Sequence, residues 1–161
     1  MEDFSFKQLF ISELKAMNWF ENAFIKALGE LQLTAGSEEA GSVFKKIRAQ
    51  SQEQVNRLRL VFNGMNEAAG SQESEALKGL IQDTRTTVQN IDRGNETRDA
   101  FLIMATQKAV NYQIAGYTSL TSLARALGYH EAGKMLEATM EEQKAANREL
   151  TSIFDACIKT S

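Results

Sequence analysis

The chain has 161 residues and a formal net charge of −3, from 18 lysines and arginines against 21 aspartates and glutamates. This length suits a single domain, residues 1–161, that buries roughly 70% of the surface its unfolded chain would expose. The charge balance gives no basic footprint for nucleic acid or a membrane surface, and the lone Cys157, with no leader or long apolar stretch, predicts a cytoplasmic protein.

Apolar residues recur at helical spacing in two predicted helices, at about residues 4–33 and 38–66. The first stripe contains Phe10, Leu14, Met17, Glu21, Phe24, Leu28 and Leu31. The second contains Val43, Ile47, Gln50, Gln54, Leu58 and Val61. Gly36 suits the end of the first helix and Ser37 the N-cap of the second, so the short link predicts an antiparallel hairpin.

A shorter helix at about residues 75–91 precedes two long ones, at about 97–127 and 131–158. On the helix at about 97–127 the stripe contains Ile103, Thr106, Val110, Gln113, Tyr117, Leu120, Ala124 and Leu127. On the helix at about 131–158 the stripe contains Leu136, Met140, Gln143, Asn147, Leu150, Phe154 and Cys157. No proline interrupts these helices, which favours long ones because proline breaks helix interiors.

The lengths and connections of these helices predict the fold. Four helices of about 28 to 31 residues would each be about 42 to 46 Å long, the proportions of a four-helix bundle. The middle connection, at about residues 67–96, can travel the length of the bundle and contains the short helix. We therefore predict an all-α, ferritin-like four-helix bundle with one helix-containing crossover between the second helix and the next long one.

Polar residues interrupt the four long stripes near the helix midpoints. They are Glu21, Gln50, Gln54, Gln113, Gln143 and Asn147. Antiparallel packing would bring these midpoints to one level. Because a buried amide without a partner costs roughly 1 to 3 kcal/mol, we expect the amides to satisfy one another in a single layer.

Ferritin-like carboxylate proteins hold a di-iron or di-manganese site in this layer, built from glutamates and Glu-x-x-His motifs. Such metals need anionic oxygens and imidazoles, whereas a neutral amide balances none of their charge. This chain has one histidine, His130, in a predicted loop, and no Glu-x-x-His. The residues therefore differ from those of a working dinuclear site.

Five collinear blocks of this chain resemble the ferritin-like bacterial stress proteins of the YciF type. They are LFISELKAMNWFENAFIKAL (9–28), QVNRLRLVF (54–62), EALKGLI (75–81), TRDAFLIMATQKAVNYQIAGYTSLTSLARALG (97–128) and LEATMEEQKAANRELT (136–151). The resemblance implies a ferritin-like bundle with a helical crossover, a homodimer and a dinuclear metal centre. It defines no reaction.

The positions of the family's implied ligands are mostly neutral here. Glu21 matches the acidic residue of the family's first helix, and Gln54 matches a position of Gln or His. Where the family usually has His, this chain has Ile47. Where the family has Glu-His-Tyr-Glu, this chain has Val110, Asn111, Tyr112 and Gln113. The Glu and Asp of the family's Glu-Lys-x-x-Asp pattern are replaced by Gln143 and Asn147. We interpret these residues as a vestigial metal site whose candidate members are Glu21, Gln50, Gln54, Asn111, Gln113, Gln143 and Asn147.

Some side chains are expected to lie outside the layer. Asn111 points about 160° away from Gln113 around the helix, so it either flanks the layer or faces a partner. Tyr112 and Tyr117 are expected to fill the core or an interface. A solvated basic face is predicted from Lys45, Lys46, Arg48, Arg57 and Arg59.

Three functional hypotheses remain. We favour a non-catalytic, cytoplasmic, stress-associated or structural and interaction protein, a homodimer with an unknown protein partner and no cofactor. The alternative binds iron or manganese through Glu21 with amide and water ligands, and oxidises iron or scavenges peroxide. A third is a helical binding module with a polar-lined cavity. No nucleophile and base pair or phosphate-binding loop supports hydrolytic or nucleotide chemistry.

Overall fold

The computed structural model describes residues 4–94 and 96–159; residues 1–3, 95, 160 and 161 of the predicted domain lie outside the described residues. This part of the chain forms five helices and no strand. The helices are α1 (Phe6–Thr34), α2 (Glu38–Gly64), α3 (Glu75–Gln89), α4 (Glu96–Ala126) and α5 (His130–Lys159). They agree with the predicted helices to within two residues at each end, and His130, predicted in a loop, is the first residue of α5.

Serine side chains begin the first three helices. Ser5 and Gln8 form a capping box at α1, in which each side chain accepts a hydrogen bond from the other's backbone N–H. Ser37 accepts from the backbone of Ala40 at the start of α2, as the sequence predicts, and Ser74 caps α3 in the same way. These caps fix where the chain turns between helices.

The four long helices form a closed bundle in which α1 packs against α2 and α4, and α5 packs against α4 and α2. The ring centroid of Phe10 lies 6.0 Å from that of Tyr129, which follows the end of α4, and the ring centroid of Phe20 lies 4.8 Å from that of Tyr112 within α4. Residue numbers therefore fall along α4 as they rise along α1, so these two helices are antiparallel. The chain from α2 to α4 travels the length of the bundle, and the predicted all-α bundle of four long helices with a helix-containing crossover is confirmed.

The crossover packs along α1 on its way back. The backbone N–H of Gln72 donates to Lys15 O at 3.0 Å, and Asn18 Nδ2 donates to Gly70 O at 2.9 Å. Helix α3 then lies over α1 and α4, where Leu77 is its one buried residue. None of the described helices is long and apolar enough to cross a membrane.

The predicted stripes form the interior of the bundle. Phe10, Leu14, Phe20 and Leu28 of α1 are fully buried, and α4 buries Val110 and Tyr117 among others. Polar residues share this interior at the level of Glu21. The fold thus places a polar layer between two apolar halves of one core.

Candidate functional site

A chain of hydrogen-bonded side chains crosses the middle of the bundle. Gln54 Nε2 donates to Gln143 Oε1 at 2.9 Å, Gln143 Nε2 donates to Gln113 Oε1, and Gln113 Nε2 donates to Glu21 Oε1 at 2.7 Å. Each of these side chains is completely buried and comes from a different long helix. We call Glu21, Gln54, Gln113 and Gln143 the core layer.

The amides of the core layer all point the same way because Glu21 stands at one end. An ionised carboxylate accepts hydrogen bonds but donates none, so Gln113 presents its NH2 group to Glu21. The oxygen of Gln113 then faces Gln143, whose own oxygen faces Gln54. When Glu21 is ionised, its need for hydrogen-bond donors therefore fixes the orientation of the amides as far as α2.

Glu21 has a second donor in α4. Tyr117 Oη donates to Glu21 Oε1 at 2.7 Å, and both side chains are completely buried. Burial raises the pKa of Glu21 to about 7, because the hydrogen bonds from Tyr117 and Gln113 only partly offset the loss of solvent. Burial and the adjacent Glu21 charge raise the pKa of the Tyr117 hydroxyl well above its ordinary value, so Tyr117 stays a neutral donor.

Several buried oxygens of this region have no hydrogen-bond partner within the described residues. They are Glu21 Oε2, Ser51 Oγ, Gln50 Oε1 and Gln54 Oε1. Ser51 faces Glu21 from α2. The second oxygen of Glu21 is thus a buried carboxylate oxygen that only the hydroxyl of Ser51 approaches as a donor group.

An ion pair closes the core layer on the side of α2 and α5. Arg57 donates to both carboxylate oxygens of Glu142, from Nη1 at 2.7 Å and from Nη2 at 2.6 Å. Gln54 Nε2 also donates to Glu142 Oε2 at 3.1 Å. Burial alone would raise the pKa of Glu142, but hydrogen bonds from Arg57 and Gln54 lower it overall.

The prediction that Arg57 belongs to a solvated basic face is therefore wrong. Its side chain is 29% exposed and that of Glu142 is 31% exposed. Lys45, Lys46 and Arg59 are exposed as predicted, whereas Arg48 is half-buried. Arg57 differs because α5 brings a carboxylate and the hydroxyl of Thr139 against it, the latter accepting at 3.2 Å.

Three of the predicted site residues lie outside the core layer. Asn111 Nδ2 donates to Asn147 Oδ1 at 3.1 Å between α4 and α5, with Asn111 exposed and Asn147 half-buried. Gln50 is half-buried and takes no part in the amide chain. The prediction of one shared layer is therefore wrong for Gln50 and Asn147, and Asn111 flanks the layer.

Helical spacing explains both errors. After one residue that faces the core, the next residue to face it lies either three or four positions later, since 3.6 residues make a turn. After Ile47 the structure buries Ser51 instead of Gln50, and after Gln143 it buries Ala146 instead of Asn147. Both predicted residues are rotated by about 100° from the buried position.

Sequence reasoning also missed functional side chains that the structure brings to the layer. Tyr117 is predicted only to fill the core or an interface, although a buried tyrosine hydroxyl normally needs a partner and its position four residues after Gln113 places it one turn above the layer. Tyr112 is 42% exposed and stacks on Phe20. Glu142 and Arg57 carry no comparable signal, because each lies beside the predicted stripe.

The donor set does not fit a dinuclear iron or manganese centre. Such a centre uses four carboxylates and two histidines, whereas the core layer offers one carboxylate and neutral amides. Both oxygens of Glu142 are already bound by Arg57. Across residues 4–94 and 96–159, no three His, Cys, Asp or Glu side chains are grouped so that they could hold a metal ion.

Comparison with known proteins places this chain in a family. Residues 5–161 match the family described as a domain of unknown function, DUF892. The chain is 32% identical to protein YciF of Escherichia coli (strain K12) over 148 residues, which cover 91% of this chain and 89% of that protein.

Two solved structures share the architecture. The E. coli stress protein YciF gives a TM-score of 0.91 at 30% identity, over 98% of this chain and 99% of that chain. YcfI, a putative structural protein from Rhodopseudomonas palustris, gives 0.88 at 25% identity, over 91% and 93%. The bundle and its crossover are therefore common to this chain and these relatives.

Proposed function

This chain belongs to the family of domains of unknown function DUF892, and we propose that it is a non-catalytic bundle whose central layer uses amides where a metal site would need ligands. The observation that carries the proposal is the one-way chain from Gln54 through Gln143 and Gln113 to Glu21. Glutamine keeps the shape and reach of glutamate without its charge. A hydrogen-bonded amide chain can therefore hold four helices together where carboxylates would repel one another.

A stress-associated structural role is the biological part of the proposal. One relative is called a stress protein and another a putative structural protein. A bundle whose core is stable without a cofactor suits such a role, because its surface stays available to partners. We propose that the protein is cytoplasmic and acts as a homodimer, whose size sedimentation equilibrium would measure directly.

One observation favours the alternative function, a divalent-metal protein that oxidises iron or scavenges peroxide. Glu21 Oε2 is buried and has no hydrogen-bond partner in the described part of the chain. A carboxylate oxygen of this kind could bind iron or manganese. The side chains that donate to Glu21 are neutral, and Glu142, the other carboxylate that acts on Glu21, has both oxygens bound by Arg57.

Metal analysis separates the two functions. The protein is purified without chelator, its iron and manganese are measured by mass spectrometry, and Fe(II) oxidation in air is compared with buffer. We expect metal well below one ion per chain, oxidation at the buffer rate and a melting temperature that added Fe(II) or Mn(II) leaves unchanged. Roughly two ions per chain together with faster oxidation would overturn the proposal and establish the alternative.

A further inference from the structure

One long groove runs between α1 and α4 on the surface of the bundle, and α3 fills only one half of it. In the filled half, Leu77 of α3 lines a small cavity together with Ala27 of α1 and Ala105 of α4. In the open half, Ala16 of α1 and Gly116 of α4 line a groove of about 400 Å³. The two residues named on each long helix are eleven positions apart, which is about three turns, so both halves lie on the same faces of α1 and α4.

Small side chains leave room for a helix in the open half. Its floor is at Gly116, where a Cβ atom would collide with the methyl group of Met17. Ala16, Ala115 and Ser119 also line it. Because the distance between two packed helices depends on the size of the side chains at their contact, a helix can approach closely here. The open half can therefore seat a helix, as the filled half seats α3.

Helix α4 has almost no charge along this face. Within residues 100–124 its one charged residue is Lys108. Residues 130–154 of α5, a stretch of equal length, have eight charged residues, from Glu131 to Glu149. The lining of the open half adds one acid, the exposed Glu13. Since the centre of a protein interface is depleted of charge, this face suits a protein partner.

Tyr112 supplies a rigid aromatic group at the open half. Its ring is nearly parallel to that of Phe20, with an angle of 3° and centroids 4.8 Å apart, yet Tyr112 is 42% exposed. The stack holds the ring in place before a partner arrives, which lowers the conformational entropy that association costs. Tyrosine is also enriched among the residues that dominate binding energy at interfaces.

The two charges of this region are complementary between two copies of the chain. Neither Glu13 nor Lys108 makes an ion pair with any residue that the structure describes. Glu13 lies four residues before Met17 and therefore level with the residue four after Gly116 in the antiparallel α4. That level is about 18 Å from Lys108 along α4, and Ile114 lies halfway between them. A twofold axis perpendicular to α4 at Ile114 brings Glu13 of each copy level with Lys108 of the other.

We propose that the open half of this groove is the face through which two copies of the chain form a homodimer. Helix α4 of each copy lies antiparallel to α4 of the other and packs its stripe of Tyr112, Ala115 and Ser119 into the groove. Glu13 of one copy pairs with Lys108 of the other. The inference rests on the proposed function in one respect, the homodimer, and it uses no residue of the core layer.

Charge reversal tests the pairing across the axis. Sedimentation equilibrium over a wide range of concentration gives the dissociation constant of the dimer. We expect Glu13→Lys and Lys108→Glu each to raise this constant at least roughly fivefold, because a twofold interface contains the pair twice and each reversal brings like charges together. The double variant exchanges the two charges and should return to within roughly twofold of wild type. Lys45→Glu, on the exposed face of α2, is the control and should change nothing.

A disulfide tests which residues lie at the axis. In a Cys157→Ala background, Ala115→Cys places a thiol one residue from the level of the axis, so oxidised glutathione should join two copies through it. Ala49→Cys, exposed on α2, should give no covalent dimer. Ala115→Arg, which puts a large charged group at the centre of the face, should raise the dissociation constant at least roughly tenfold. Circular dichroism checks that each variant is folded.

The outcomes separate this interface from the homodimer itself. A protein that stays monomeric at every concentration would overturn both. A dimer that folded Ala115→Arg leaves as tight as wild type would overturn the interface alone, as would a covalent dimer formed equally well by Ala49→Cys and Ala115→Cys. A double charge reversal that associates no more tightly than the single reversals would also overturn the interface, because the two charges would then not face each other.

Discussion

Tyr117 Oη and Glu21 Oε1 lie 2.7 Å apart in the centre of the bundle, and neither side chain is exposed to solvent. The hydroxyl and the Gln113 amide donate to the same oxygen. Because these two groups supply the hydrogen bonds to the ionised form of this buried carboxylate, the stability of the folded protein depends strongly on each of them.

Removing the Tyr117 hydroxyl should therefore destabilise the protein. We expect Tyr117→Phe to lower the free energy of unfolding by about 1.5 to 3 kcal/mol at pH 8, as is typical for a hydrogen bond to a charged group. Urea denaturation measures the change. Tyr112→Phe is the matched control, since Tyr112 is 42% exposed and stacks through its ring; equal effects of the two variants would contradict the role given to Tyr117.

The stability of the protein should fall as the pH rises towards neutrality. Burial raises the pKa of Glu21 from 4.5 to about 7, so between these values the folded state holds a proton that the unfolded state has released. The contribution of Glu21 to the free energy of unfolding should drop by roughly 3 kcal/mol over this interval and level off above it.

Glu21→Gln isolates this effect from the titration of other carboxylates. Its Oε1 can still accept from Gln113 and Tyr117, and its Nε2 faces Ser51 Oγ, which has no other partner in the described residues. Urea denaturation from pH 4.5 to 8 should show a flatter profile for Glu21→Gln than for wild type. Exposed Glu53→Gln serves as the control, and parallel profiles of wild type and Glu21→Gln would refute the prediction.

Restoring carboxylates to the core layer should destabilise the metal-free protein. Gln113→Glu combined with Gln143→Glu removes two amide donors and places up to two more buried charges near Glu21. We expect a loss of at least about 3 kcal/mol at pH 8, since an unpaired buried charge costs several kcal/mol. Thermal melting in the presence of chelator, with exposed Gln52→Glu as the control, measures this loss. An unchanged or raised melting temperature would count against a stabilising amide layer.

The Arg57–Glu142 pair should contribute more than an exposed ion pair. Arg57→Gln leaves Glu142 with a single weaker donor from Gln54, so we expect a loss of about 1 to 2 kcal/mol. The matched control is Arg125→Gln, because the side chains of Arg125 and Glu137 are 52% and 43% exposed. This substitution should lower the free energy of unfolding by no more than about 0.5 kcal/mol. Chemical denaturation at low and high salt measures the loss of stability in each variant. Equal losses in the two variants would show that partial burial of Arg57 adds nothing to the stability that its ion pair provides.

Much of the fold follows from local spacing. The stripe from Phe10 through Leu14 to Leu28 is buried because apolar residues three and four positions apart share one helix face. The long connection before α4 then requires a crossover, whose presence the structure confirms. Breaks in the same stripes also identified Glu21, Gln54, Gln113 and Gln143, which the structure joins.

The exact membership of the layer was decided by tertiary packing. Gln50 or Ser51 in α2, and Asn147 or Ala146 in α5, could equally have faced inward, and the rotation of each helix against its neighbours selects one of each pair. The partnership of Arg57 with Glu142 joins positions separated by 85 residues on different helices. The sequence by itself thus determined which helix faces are buried, because periodicity is local. Only the packed helices decided which polar atoms meet, because hydrogen bonds depend on differences of less than an ångström in position across the core.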